Sequence, residues 1–148
     1  MSTSVGDLLR IKGAAVETTT SATTILEAIQ HMGERHIGCL AVVTKTGRLI
    51  GILSERDCLW KVIALGNSPR KMLVKEVMTP IAQMETVTLA HTVEDCMGLI
   101  TTGRHRHLPV LEADKLAGLI SIGDVVKFML DAQQATIQSL EKYITGTF

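Results

Sequence analysis

The chain has 148 residues and fifteen Lys+Arg against fifteen Asp+Glu, so it has room for one domain or two small fused halves and carries no net charge. That neutral balance argues against a broad basic face for nucleic acid, and an aromatic content of 3% leaves few rings for base stacking. With 46% apolar and 20% charged residues, the composition is that of a globular protein and not a disordered tail.

The first residues, Met1 to Asp7, carry neither the charged nor the apolar region of a signal peptide. No apolar run approaches the roughly 18 residues a membrane span needs, so the expected location is cytoplasmic. A helix is predicted over 5–12, stopping before Gly13, followed by a short extended piece at Thr18. Ile25, Ala28, Ile29 and Met32 recur at helical spacing behind Thr and Ser cap candidates, which predicts a helix over 23–35. Two short runs rich in β-branched residues, 39–43 and 49–53, read as buried strands joined through Lys45-Thr46-Gly47. A helix over 55–65, a polar break over 67–71 and a linker over 74–80 come next. The pattern then returns: an extended piece near Thr86, a helix over 92–103 carrying Val93, Cys96, Met97 and Ile100, strands over 108–111 and 116–120, and a helix over 122–130. The tail, 131–143, is predicted as a separate helix whose apolar stripe of Ala135, Ile137, Leu140 and Ile144 needs a cover. Cys39, Cys58 and Cys96 lie in apolar surroundings without C-x-x-C spacing, as small core residues in a reducing compartment would. Trp60 and Tyr143 read as packing residues on helices.

The return is a true repeat. Leu49, Gly51, Ser54 and Asp57 reappear 67 residues later as Leu116, Gly118, Ser121 and Asp124, while Thr18, Thr20, Thr24, Leu40 and Val42 reappear 68 later as Thr86, Thr88, Thr92, Leu108 and Val110. The one-residue change falls in the strand-joining turns, where an indel disturbs no packed register. Just before the second strand pair, Arg104-His105-Arg106-His107 forms the densest cationic stretch of the chain. Alternation on an extended segment would send Arg104 and Arg106 to one side and His105 and His107 to the other. Arg35-His36-Ile37-Gly38 stands at the corresponding place in the first copy, with Ala41 where the second has Pro109.

The paired G-h-h-S-x-x-D blocks at 51–57 and 118–124, the His107-Leu108-Pro109-Val110 run and the Val77-Met78-Thr79 entry to the second copy resemble a tandem of cystathionine-β-synthase (CBS) domains, over about residues 5–130. The resemblance implies a mixed α/β (α+β) fold: two β-α-β-β-α units related by a pseudo-two-fold axis, packed through their sheets, with helices at both termini. The divisions expected are a leading helix over 1–13, units over 14–67 and 81–130, a linker over 68–80 and a C-terminal helix over 131–148. It also implies clefts that bind adenosine-containing ligands such as AMP, ATP, NAD or S-adenosylmethionine, no required cofactor, a homodimer, and a regulated partner protein; no metal site is expected, because no Cys or carboxylate at ligand spacing completes a site from His105 and His107.

The chemistry of the blocks accommodates such a ligand. A strand delivers Ser54 or Ser121 to a helix N-terminus, where unpaired N–H groups and the macrodipole favour an anion. Asp57 or Asp124, three residues on, can accept from both hydroxyls of a ribose. The same Ser-x-x-Asp spacing is also a capping box that requires no ligand, and the two readings are compatible in free and bound states. By resemblance, Arg104, Arg106, His107 and Pro109 face the cleft, and Thr20, Thr88 and Arg56 join the binding residues. Arg suits phosphate because its planar fork forms paired bonds. Ile37 and Gly38 offer a smooth wall for a purine. No nucleophile elbow, P-loop, H-E-x-x-H or paired-carboxylate arrangement is present, so a non-catalytic sensor is expected. The alternatives are a ligand-free adaptor dimer and an enzyme acting on a nucleotide.

Overall fold

The computed structural model describes residues 3–103 and 105–146. In the first copy, β1 (Thr18–Thr19) runs parallel to β2 (Cys39–Val43), which pairs antiparallel with β3 (Leu49–Ser54). In the second, β5 (His107–Glu112) pairs antiparallel with β6 (Lys115–Ser121), and Val87 repeats the parallel contact of β1 through a bridge to Val110. The second hairpin turns through Ala113 and Asp114, both with positive φ, the twist a two-residue hairpin requires. The two sheets meet face to face: Cys39, Ala41, Leu49 and Ile52 of the first pack on Leu111, Leu116 and Leu119 of the second.

Helices close the outer faces. α2 (Ile25–Arg35) starts at Thr24, whose hydroxyl accepts the Glu27 N–H, and α5 (Val93–Thr102) starts at Thr92 with Asp95 completing a capping box. α3 (Glu55–Cys58) runs on into a π-helical turn, Leu59–Ile63. α6 spans Ile122–Thr145, so the two helices expected over 122–130 and 131–143 are one. After Gly123 in its first turn no Gly or Pro interrupts it until Gly146, whose φ of 70° ends it in the left-handed region. Every described residue from Asp131 onward is exposed, so the tail does not fold back over its own module.

The two copies exchange their leading helices. α1 (Val5–Lys12), capped by Ser4, precedes the first copy yet buries Val5, Leu8 and Leu9 in the core of the second, beside Val93, Cys96, Leu108 and Ile120. Reciprocally, α4 (Val74–Val77), in the segment read as a linker, buries Val74 and Val77 in the core of the first copy beside Ile25, Leu40 and Leu53. The backbone contacts match: Val5 and Gly6 donate to the His91 and Leu89 carbonyls at 2.7 and 3.0 Å, and Val74 and Lys75 donate to Thr23 and Ser21 at 2.8 and 3.0 Å. After α4 the chain forms β4 (Thr79–Pro80), which adds to the edge of β3.

This exchange explains the repeated glycines. A Cβ on Gly51 would stand 2.7 Å from Met78 Sδ and 2.8 Å from the Thr79 carbonyl oxygen, and one on Gly118 would stand 2.7 and 2.8 Å from the two Leu9 methyls. In each copy the exchanged segment crosses directly over the strand. The three cysteines are buried free thiols, as expected, and burial pushes each up to about 11.

Candidate functional site

β3 ends at Ser54 because its backbone turns there into α3. The Ser54 hydroxyl accepts the Asp57 N–H at 3.0 Å, and the Ser54 N–H donates to Asp57 Oδ2 at 3.0 Å. The second copy repeats this between Ser121 and Asp124, at 3.1 and 2.8 Å. The capping box is therefore formed in both copies, and it consumes only part of each carboxylate. Asp57 Oδ1 meets Lys61 Nζ at 3.2 Å, and Lys61 also donates to the Val77 carbonyl at 3.1 Å. Asp124 Oδ2 meets Lys12 Nζ at 2.6 Å, and Lys12 donates in addition to the Leu119 carbonyl at 2.7 Å.

The Ser54–Asp57 block opens on a cleft of about 490 Å³ formed by both copies. Ser54, Glu55, Arg56, Asp57, Trp60 and Lys61 form one wall, with Gly38, Ile52, Thr79 and Met84; His105, Arg106 and His107 come from the other copy. Of the residues singled out in the sequence, Ser54, Arg56, Asp57, Gly38, Arg106 and His107 thus meet here. Ile37 lines a different groove of about 500 Å³ with Ile29, Met32, His36 and Leu59, so it is not a wall of this cleft. Thr20 and Thr88 hold local turns, their hydroxyls bonded to Thr23 at 2.8 Å and to the His91 ring at 3.0 Å. Pro109 is buried within β5. Ser121 and Asp124 are outside the cleft lining, beside Lys12, and Arg104 lies outside the described residues.

Two expectations about the cationic run need correction. His105, Arg106 and His107 all line one cleft and do not alternate, because β5 begins only at His107 and the residues before it are not held in the pleat. The correspondence between copies also shifts by one residue. Ser54 pairs with Cys39 and Ser121 with His107, while Gly38 and Arg106 accept the Glu55 and Ile122 N–H groups, both at 2.9 Å. Arg106 therefore answers to Gly38, and His107 to Cys39.

Trp60, read from the sequence as a packing residue on a helix, is 63% exposed and lines the cleft. With Glu55, Lys61, His105, Ile52, Thr79 and Met84 it was missed as a site residue from the sequence. Asp57, Trp60 and Lys61 stand at i, i+3 and i+4, and that spacing alone places them on one helical face. Tyr143 is likewise exposed and not a packing residue.

Burial pushes the His107 imidazole below its usual range; Asp124 opposes this, and Lys12 and Arg106 reinforce it. At neutral pH His107 is thus an uncharged donor and acceptor, and the fixed cations of the cleft are Arg56, Lys61 and Arg106. For Asp124, burial raises the carboxyl, but the Lys12 bond, the Ser121 N–H and the Lys12 charge together outweigh it, holding the group below the usual carboxylate range. Among the described residues, no group of three or more His, Cys, Asp or Glu is placed to hold a metal. A planar aromatic face, two carboxylates and three cations around one cleft suit a ligand with a flat ring, hydroxyls and an anionic end.

The model of the CBS domain family matches residues 3–63 and 74–131. The chain belongs to the CBS domain family. It is 34% identical to the mitochondrial CBS domain-containing protein CBSX3 of Arabidopsis thaliana, over 99% of this chain and 74% of that protein. A solved CBS domain structure matches with a TM-score of 0.81 and 42% identity, over 88% of this chain and 99% of its own. A CBS-domain protein of Burkholderia ambifaria matches with a TM-score of 0.80 and 39% identity, over 88% and 96%. The mixed α+β architecture of two CBS units and the regulatory class of module are those of its relatives. No helix among the described residues is long and apolar enough to cross a membrane.

Proposed function

We propose that this CBS pair is a sensor for an adenosine-containing ligand, of the AMP, ATP, NAD or S-adenosylmethionine class, that acts on a partner protein without chemistry of its own. One observation carries the reading: the cleft assembles Asp57, Trp60 and Arg106, from both copies, around one volume of nucleotide size. In this reading Trp60 stacks on the purine, Asp57 accepts from the ribose hydroxyls, and Arg106 and Lys61 meet the phosphate. CBSX2, which shares the fold at a TM-score of 0.72 and 24% identity, has been solved in complex with AMP.

The division of labour is testable by calorimetry. Asp57→Ala removes the acceptor of two hydrogen bonds, each contributing about 0.5 to 1.5 kcal/mol, and should weaken adenosine and AMP alike. Arg106→Gln should weaken AMP while sparing adenosine. Equal loss of both ligands in both variants refutes the assignment, and absence of any heat or thermal shift with adenosine ligands at millimolar concentration favours a ligand-free adaptor.

We also propose that the chain acts as a homodimer. Ile137, Leu140 and Ile144 continue along α6 the exposed apolar line begun by Ile122, Val126, Met129 and Leu130. Such an exposed stripe marks an interface, and two-fold pairing is its commonest closed solution. A hexameric CBS-CP12 protein of related fold, 27% identical with a TM-score of 0.74, shows that the module assembles in at least one neighbour. Light scattering should give a dimer for the full chain. A monomer refutes the proposal, and a dimer that survives truncation at Asp131 removes the tail from the interface.

A further inference from the structure

The two repeated aspartates, Asp57 and Asp124, each hold a lysine, but the lysines have different origins. Lys61 stands one turn beyond Asp57 on the same helix, at 3.2 Å from Oδ1, and its ammonium lines the open cleft. Lys12 comes from the last turn of the exchanged helix α1, 112 residues away in sequence. Its ammonium sits on Asp124 Oδ2, the same oxygen that accepts the Ser121 N–H, and is tied a second time by the Leu119 carbonyl. Neither lysine has a counterpart. The pairing of Val5 with Val74 puts Ile81 where Lys12 stands, and the pairing of Asp57 with Asp124 puts Phe128 where Lys61 stands.

We propose that Lys12 is a specificity-determining residue: an internal cation that occupies the ribose acceptor of the second copy, so that the two copies bind an adenosine ligand unequally. This rests on the nucleotide reading above and deepens it. A ribose that offers its two hydroxyls to both oxygens of Asp124 must displace, at Oδ2, a donor that is charged, 2.6 Å away and anchored at a second point by Leu119. The same ribose approaching Asp57 meets a lysine held by two longer contacts, 3.2 Å to Asp57 Oδ1 and 3.1 Å to the Val77 carbonyl, and lining the cleft that a ligand's anion would enter. Because Lys12 reaches Asp124 from α1, the closure of the second copy's core and the closure of its aspartate are carried by one element.

The test is calorimetry with AMP on the full chain. Wild type should bind AMP at one tight site, and Asp57→Asn should weaken that site by about tenfold or more. In the Asp57→Asn background, Lys12→Met should tighten the remaining site by about tenfold or more, the size of one charge-assisted hydrogen bond. Adding Asp124→Asn should then remove that gain. Lys12→Gln keeps the stem and one donor without the charge; it should give a smaller gain in the same direction, and it serves if the Met variant does not fold. An unchanged or weaker second site in both Lys12 variants, with AMP still bound at Asp57, overturns the role of Lys12 alone. Absence of AMP binding in wild type and every variant overturns the nucleotide reading, and the competition falls with it.

Discussion

A chain beginning at Ala14 is expected to lose roughly 5 to 9 kcal/mol of stability, at about 1.5 to 3 kcal/mol for each of three buried apolar side chains, and to lose it in the half of the molecule farther along the sequence. Val5, Leu8 and Leu9 are 0%, 5% and 4% exposed, and all three pack in the second copy. Their loss uncovers Val93, Cys96, Leu108 and Ile120, and frees the His91 and Leu89 carbonyls that Val5 and Gly6 occupy. A loss of that size is comparable to the whole stability of a domain, about 5 to 15 kcal/mol. The first copy keeps its own closing residues, Val74 and Val77, because they come from within the chain. Hydrogen exchange should therefore show β5 and β6 amides losing protection while β2 and β3 retain theirs. Full protection of β5 and β6 in the truncated chain would contradict the exchange of helices.

Gly51→Val is expected to destabilise by about 3 kcal/mol, the upper part of the usual range for overpacking a core. Its first carbon already falls 2.8 Å from a backbone oxygen, Thr79, as well as 2.7 Å from Met78 Sδ, and no rotamer change moves a backbone oxygen. Strand β4 would have to leave the edge of β3. Gly118→Ala meets only the end of the Leu9 side chain, so its effect should be smaller, and Leu9→Ala in the same chain should recover part of it. Urea midpoints measure both. A Gly51→Val protein within about 0.5 kcal/mol of wild type, the scale of a neutral surface change, would mean that the segment does not cross the strand as described.

The sequence alone determined the repeat, the order of its elements, both strand pairs and both Ser-x-x-Asp boxes. These are local: a period of two or 3.6 residues, a cap and a turn are each set within a few neighbours, and the duplication presents each of them twice. It also determined the family, through those same local blocks. The tertiary structure alone decided which copy each leading helix completes, because Val5 and Val74 satisfy an apolar test equally well in either core. It decided that α6 is one helix with an open stripe, since a stripe shows that a cover is needed and not whether the chain supplies it. The ladder register decided that Arg106 answers to Gly38 and His107 to Cys39; between the end of one helix and the start of β5 no periodic landmark fixes a residue-by-residue match. The same holds for the candidate site. Asp57 and Trp60 share a helical face that spacing could reveal, but Arg106 across the cleft and Lys12 on Asp124 are brought there by the packing of two sheets and an exchanged helix, contacts that no local pattern encodes.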